Sequence, residues 1–329
     1  MVNISCVVPA YKRVNQTGKT VELLLGSDGV GKEFELEVIV EDSSPDDFLK
    51  DALAKKFGDR ITYLRPPKPG IAANKNAGAK VAKYPILVFC DSDMEVEKNV
   101  LSATIHSLKT HEKAAAIGGT VYWRGGPNDG QKDRPRLEDR LMIKDITTYT
   151  EALYSRYLAT YKSVFIAVGG YDEEIFNMRG EGSDMSVRYW RAGFPLAYEE
   201  GIIVHHVFDA PDAAAIRIKH PEWGIFKDLL LLGYKYDMFA SDCDNFSATV
   251  DINFSPLGAD GYFRTLQGIG RHYDLIVSVK PALDAFRAND RPAYDFKFLE
   301  VFSDEALFAA CVGKAAARLA DARKEAFGE

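Results

Sequence analysis

Short apolar, β-branched runs recur through the first 120 or so residues: "ISCVV" at 4–8, "ELEVIV" at 35–40, "ITYL" at 61–64, "ILVFC" at 86–90 and "AAAIGGTV" at 114–121. Between them, "KTVELLLGS" and "DFLKDALAKKF" have apolar spacing that suits helices, and the Ala-rich "AANKNAGAKVAK" is followed by Pro85 as a stop. This alternation predicts βαβ units and a largely parallel, buried sheet. Residues 124–137, "RGGPNDGQKDRPRL", hold no apolar run and much Gly, Pro and charge, which predicts a loop.

Further along, "YKSVFIAVGGYDE" (161–173) reads as a strand and a glycine turn, "SDMSVRYWRAGF" (183–194) as a short helix and "GIIVHHV" (201–207) as another strand. From about residue 212 the texture becomes helical, in "IFKDLLLLGYKY" and in a final stretch where Asp304 and Glu305 suit a first turn and Lys and Arg a last one. The expected organisation is one α/β domain over 1–211 and a mainly helical region over 212–329, shaping an acceptor site or an oligomer interface.

Composition narrows the function classes. The 329 residues are 47% hydrophobic and 27% charged, ordinary for a globular protein. A formal charge of -7 argues against nucleic acid as a partner, because phosphate neutralisation needs an excess of Lys and Arg. Cys6, Cys90, Cys243 and Cys311 form no CxxC pair, so neither a zinc site nor a disulfide scaffold is indicated and a reducing compartment fits. No apolar stretch reaches the roughly 20 residues of a membrane helix. The reading is a cytoplasmic protein, compatible with peripheral association at the inner face of a membrane and with a homo-oligomer.

The candidate chemistry lies just past the apolar runs. Ligands bind outside the carboxyl ends of strands in open parallel sheets. Here Pro9-Ala10-Tyr11, Glu41-Asp42, Arg65-Pro66 and Asp91-Ser92-Asp93 follow four successive runs. In an extended segment Asp91 and Asp93 point to the same face, and two close carboxylates resist ionising together unless a cation neutralises them. Mn2+ or Mg2+, which add phosphate oxygens from a substrate to protein carboxylates, would suit such a pair.

These blocks resemble the family 2 glycosyltransferases, which adopt the GT-A fold and take a sugar from a nucleotide diphosphate sugar. "VVPAYKR" (7–13) is similar to that family's opening strand and Pro-x-Tyr turn, and "VIVEDSSPDD" (38–47) to its strand ending in an acidic pair. "GIAANKNAGAKVAKYPILVFCDSD" (70–93), "VGGYDE" (168–173), "GEGSDMSVRYWRAGF" (180–194) and "IIVHH" (202–206) follow its later blocks in order. The resemblance implies a GT-A-type, mostly parallel α/β sheet with a helical C-terminal extension.

It also implies roles. Pro9 and Tyr11 would line the nucleotide pocket, Asp42 would bond the base, and Lys75 would face the diphosphate. Asp91 would take the ribose or the metal, with Ser92 also on the donor side, and Asp93 the metal. Of the two histidines after "GIIV", His205 is preferred to His206 as a further metal ligand. Gly170 would bring backbone near the donor sugar, and the loop 124–137 would close over it. Inverting members carry a Glu-Asp pair whose Asp is the general base; here Glu181 stands on the Glu but Gly182 on the Asp, leaving Glu181 or Asp184 as base, or a retaining mechanism without one. Trp190 would stack on an acceptor sugar.

The reaction expected is transfer from a nucleoside diphosphate sugar, UDP-sugar favoured, to a hydroxyl of a saccharide or lipid-linked saccharide, with inversion, as in polysaccharide biosynthesis. A sugar nucleotidyltransferase would call for a glycine-rich phosphate loop after the first strand, and a dinucleotide oxidoreductase for GxGxxG there; neither is present. A non-catalytic nucleotide-sugar-binding protein remains the rival that Gly182 favours.

Overall fold

The apolar runs become the middle of one sheet. β1 (Val2–Ala10) lies parallel to β2 (Phe34–Asp42) on one side and to β4 (Ile86–Cys90) on the other, and β3 (Thr62–Leu64) extends the parallel set beyond β2. From Ile4 to Ala10 every β1 residue is buried, as continuous apolar runs require when both faces of a parallel strand are covered. Crossover helices α1 (Val14–Leu25), α2 (Phe48–Phe57) and α3 (Ile71–Val81) supply that cover. The computed structural model describes residues 2–126, 129–133, 155–176, 180–208 and 305–328.

Past β4 the sheet becomes mixed. β8 (Tyr157–Tyr161) runs antiparallel to β4 and to β6 (Ala116–Arg124), while β6 is parallel to β9 (Leu196–Val207). The far end of β9 pairs antiparallel with β5 (Met94–Val96), and β7 (Lys132–Asp133) edges β6. The spatial order is β3-β2-β1-β4-β8-β6-β9-β5. Further α-helices among the described residues are α4 (Val100–Thr110), α5 (Lys162–Ala167), α6 (Glu181–Arg191), α7 (Glu305–Gly313) and α8 (Ala316–Phe327).

The five early runs fall in β1, β2, β3, β4 and β6, and the helical segments before residue 83 fall in α1, α2 and α3. One reading is corrected. "YKSVFIAVGGYDE" is a strand only up to Tyr161; residues 162–167 are helical, burying Val164 and Phe165 and exposing Ile166. Their β-branched and aromatic content mimics a strand, but Gly169 and Gly170, at φ +87° and +66°, close a helix instead, Gly170 N–H donating to the Phe165 carbonyl at 3.0 Å. The expected boundary near 212, the segment "IFKDLLLLGYKY" and most of the 124–137 loop lie outside the described residues.

The C-terminal helices are part of the same core. Trp190 of α6 is fully buried against Phe308 of α7, ring centroids 6.0 Å apart, and Arg323 of α8 donates to the Leu108 carbonyl at 2.7 Å. Trp190 therefore has no face to offer an acceptor, and its assignment as a sugar platform is corrected: the helical "YW" is packing, Tyr189 being fully buried as well.

Glu41 is the unusual core residue. It is fully buried on the β2 face beneath α3, where Gly78 approaches so closely that a Cβ there would stand 2.1 Å from Glu41 Oε1. Burial pushes its proton affinity well above the ordinary carboxylate range, its own backbone N–H and then the nearby Lys75 opposing only in part. The folded chain holds Glu41 neutral where the unfolded chain has released the proton, so folding takes up a proton and stability falls as pH rises above about 4.5, by at most about 1.4 kcal/mol per pH unit. Glu41→Gln should erase that slope. Urea unfolding at about pH 5 and about pH 8 should show the variant gaining on the wild type at the higher value, and an unchanged difference would mean that Glu41 ionises in the fold.

Candidate active site

Three groups of polar side chains gather at the carboxyl edge of β1, β2 and β4. The first follows β2. Asp42 is fully buried; Oδ1 accepts from the Ser44 N–H and Oδ2 from the Tyr63 hydroxyl, each at 2.7 Å, with Arg65 at 3.8 Å. Burial, and then the Asp42 carboxylate, push the Tyr63 phenol up to about 12. Asp42 thus organises this wall from within, and Tyr63 and Arg65 are the groups it orients. Tyr11 stands at the neighbouring strand end, 48% exposed, whereas Pro9 is buried in β1.

The second group surrounds Lys75 of α3, which has no exposed surface. Its ammonium donates to the Ser155 carbonyl at 2.8 Å and lies 3.0 Å from Asp91 Oδ1 and 3.6 Å from Glu181 Oε1, above the Tyr171 ring. The Ser155 carbonyl is its hydrogen-bond acceptor, and the Asp91 and Glu181 carboxylates face it as charge partners. Lys75 therefore neutralises two carboxylates, and the expectation that it faces the diphosphate is corrected on that ground. Burial raises the Asp91 pKa, Lys75 opposes, and the neighbouring Asp93 and Glu181 charges add to the rise. Glu181 takes both the Ser155 hydroxyl, at 2.5 Å, and Lys75 on Oε1, which leaves Oε2 as the edge for a further hydroxyl.

Asp184 has a different occupation. Fully buried one turn into α6, it binds Arg188 through Oδ2, 2.9 Å from Nε and 2.7 Å from Nη2. The same guanidinium donates from Nη1 to the Val168 and Gly170 carbonyls, so the pair fastens α6 to the turn after α5. Asp184 as general base is corrected accordingly. Gly170 is buried in that turn; a Cβ there would meet Asn76 Oδ1 at 2.7 Å. Asn76 in turn holds Tyr171 through both its amide groups.

The third group lies on Asp93. Residues 91–93 form a turn, not an extended strand, so the two aspartates diverge: Asp91 onto Lys75, Asp93 onto the Arg13 guanidinium and toward His206 Nε2 at 3.4 Å. The expectation that they share one spot, with Asp91 as a metal ligand, is corrected by that turn. His205 is corrected too. β9 continues through Val207, so successive histidines alternate faces, and His205 Nε2 lies 2.8 Å from Glu97 while His206 turns to Asp93. The Trp123 ring lies 4.4 Å from the His206 ring and itself carries the Arg156 guanidinium at 5.0 Å. Ser92 contributes its carbonyl to Thr20 Oγ1 at 2.9 Å.

Arg13, Ser155, Trp123 and Arg156 are site residues without an assigned role in the sequence reading, and His206 is the histidine it ranked second. Arg13 alone had a signal, as a basic residue directly after the first strand.

A mixed, curled sheet with helices on both faces and this acidic carboxyl edge is the GT-A glycosyltransferase fold. A model of Glycosyl transferase family 2 matches residues 5–169, half of the chain, and the chain belongs to that family. A Drosophila melanogaster protein named N-acetylgalactosaminyltransferase 4 is 27% identical over 196 residues, 53% of this chain and 30% of its own length. Human polypeptide N-acetylgalactosaminyltransferase 3 is 27% identical over 201 residues, 52% of this chain and 31% of its own. The chain thus spans about a third of the length of these relatives. Among solved structures, a mannosyltransferase from Pyrobaculum calidifontis in complex with GDP-Man and Mn2+ superposes at TM-score 0.58 and 15% identity, covering 97% of this chain and 87% of that one. GalNAc-T7 with UDP, GalNAc and Mn2+ gives TM-score 0.60 at 16% identity, covering 94% and 57%.

Proposed function

We propose that the chain transfers a sugar from a nucleoside diphosphate sugar, UDP-sugar favoured, to an acceptor hydroxyl, using a divalent cation. The observation that carries the reading is the convergence of Asp93 and His206 from adjacent strand ends beside the nucleotide wall of Tyr11, Tyr63 and Arg65. The relatives' names and the nucleotide-bound structures support the donor class.

The donors present suit a hard cation only in part. Among the described residues, no three His, Cys, Asp or Glu side chains converge as a complete metal cage. Asp93 and His206 offer one oxygen and one nitrogen, and His206 Nδ1 is buried without a hydrogen-bond partner among the described residues. Two protein ligands fit Mn2+ or Mg2+ when phosphate oxygens and water complete the shell. Bound there, the ion would neutralise charge developing on the departing diphosphate.

The chain's own residues do the rest. Asp42 orients Tyr63 and Arg65 at the base, Lys75 and Ser155 hold Glu181, and Glu181 Oε2 takes the proton of the attacking hydroxyl. A saccharide hydroxyl is the first acceptor candidate, and the polypeptide named in the relatives makes a peptide hydroxyl the second. A panel of nucleotide sugars with Mn2+ and both acceptor kinds should release nucleoside diphosphate with at least one donor. Release from none of them would favour a binding protein and overturn the transferase reading.

A further inference from the structure

Arg13 holds an awkward position. It is the residue before α1, at the positive end of that helix, where a cation is unfavourable unless an anion compensates it. Lys12 just before it has φ +63°, a left-handed conformation uncommon for any residue but glycine. Two backbone hydrogen bonds hold the turn: Lys12 N–H to Ser44 Oγ at 2.7 Å and Arg13 N–H to the Tyr11 carbonyl at 2.8 Å. The reversal lays the Arg13 side chain across the strand ends onto Asp93, in an ion pair only 22% and 10% exposed.

We infer that Arg13 is an exchange cation: it neutralises Asp93 until a divalent ion takes that carboxylate, and its guanidinium then passes to the diphosphate beside the ion. The inference rests on the metal-dependent donor reading above. A divalent ion held by Asp93 and His206 would stand within a few ångströms of the guanidinium, and like charges at that distance in a largely buried site repel strongly. Ion entry must therefore break the Arg13–Asp93 pair. Lys75 is already committed to Ser155, Asp91 and Glu181, whereas a released arginine has the planar fork that matches phosphate oxygens.

Arg13 thus lowers affinity for the ion alone and raises affinity for the diphosphate once the ion is in place. Metal and nucleotide binding become coupled, and by linkage each strengthens the other by the same factor.

The test uses the full chain and two binding measurements: Mn2+ titration followed by electron paramagnetic resonance without nucleotide, and calorimetric titration with UDP, and separately GDP, at saturating Mn2+. Arg13→Gln should bind Mn2+ alone about tenfold more tightly and UDP or GDP with Mn2+ about tenfold more weakly, a coupling of ordinary size. Arg13→Lys, which keeps a cation without the fork, should lie between, and guards against a folding defect in the first variant. Unchanged or jointly weakened affinities in Arg13→Gln, with Mn2+ binding lost in Asp93→Asn, would overturn the inference and leave the metal reading standing. No Mn2+ binding by any variant or by the wild type, with or without nucleotide, would overturn both.

Discussion

Lys75→Met is expected to destabilise the folded chain by about 3–5 kcal/mol at neutral pH, the usual loss when one partner of a buried charge cluster is removed. The methionine replaces the side chain's volume but not its charge, so Asp91 and Glu181, with side chains 17% and 7% exposed, are left facing each other without a cation. Burial already raises the Asp91 pKa and Lys75 opposes that rise, so the variant moves it further up. A carboxyl whose folded pKa exceeds its unfolded one stabilises the fold below the unfolded value and loses that contribution as pH rises toward the folded one. The defect should therefore be smaller near pH 5 than near pH 7.5 in urea unfolding followed by circular dichroism, and adding Glu181→Gln should return part of the loss. An equal loss at both pH values, with no rescue, would assign the effect to packing around Tyr171 instead of charge.

The fold's parallel half was legible because a strand buried on both faces is mostly apolar, as "ISCVV" and "ILVFC" are, and because "ELEVIV" becomes apolar where β2 becomes buried. The strand-end rule singles out the same edge at which the polar clusters of Asp42, Lys75 and Asp93 gather. What the pattern did not reach was the direction of particular side chains. Asp91 and Asp93 diverge because a turn intervenes where an extended segment was assumed, and the choice between His205 and His206 depended on whether β9 ended at Val204 or ran on to Val207. Because β9 runs on, successive side chains face opposite ways, and His206, not His205, meets Asp93.

Other misses have a different origin. The lysine in "NKNAG" reads as a phosphate ligand until its burial beside the Ser155 carbonyl, Asp91 and Glu181 is seen, and Ser155 and Glu181 come from parts of the chain 80 and 106 positions away. Trp190 and Asp184 sit on an α6 whose burial on several sides comes from α7 and from the turn after α5, contacts no local pattern reports. The edge of the sheet thus carries two neutralised carboxylate clusters: one locked by Lys75, and one closed by Arg13, a residue able to leave.

Glu181→Gln should lower kcat by about 10²–10⁴ while leaving donor affinity near that of the wild type, the loss expected when a positioned proton acceptor is removed. The amide is nearly isosteric, and its carbonyl oxygen can still accept from the Ser155 hydroxyl, so the scaffold holding Oε2's successor is kept. Lys75 retains Asp91 and the Ser155 carbonyl. A fall in kcat with KM and nucleotide affinity steady would separate loss of proton transfer from loss of binding. If Glu181 is the base, it draws the hydroxyl onto the sugar from the side opposite the diphosphate, and proton NMR of the first product should show an inverted anomeric centre. An unimpaired rate in Glu181→Gln together with a retained configuration would remove the base from this chain: with Gly182 lacking a side chain and Asp184 held by Arg188, the departing diphosphate itself would then accept the acceptor's proton.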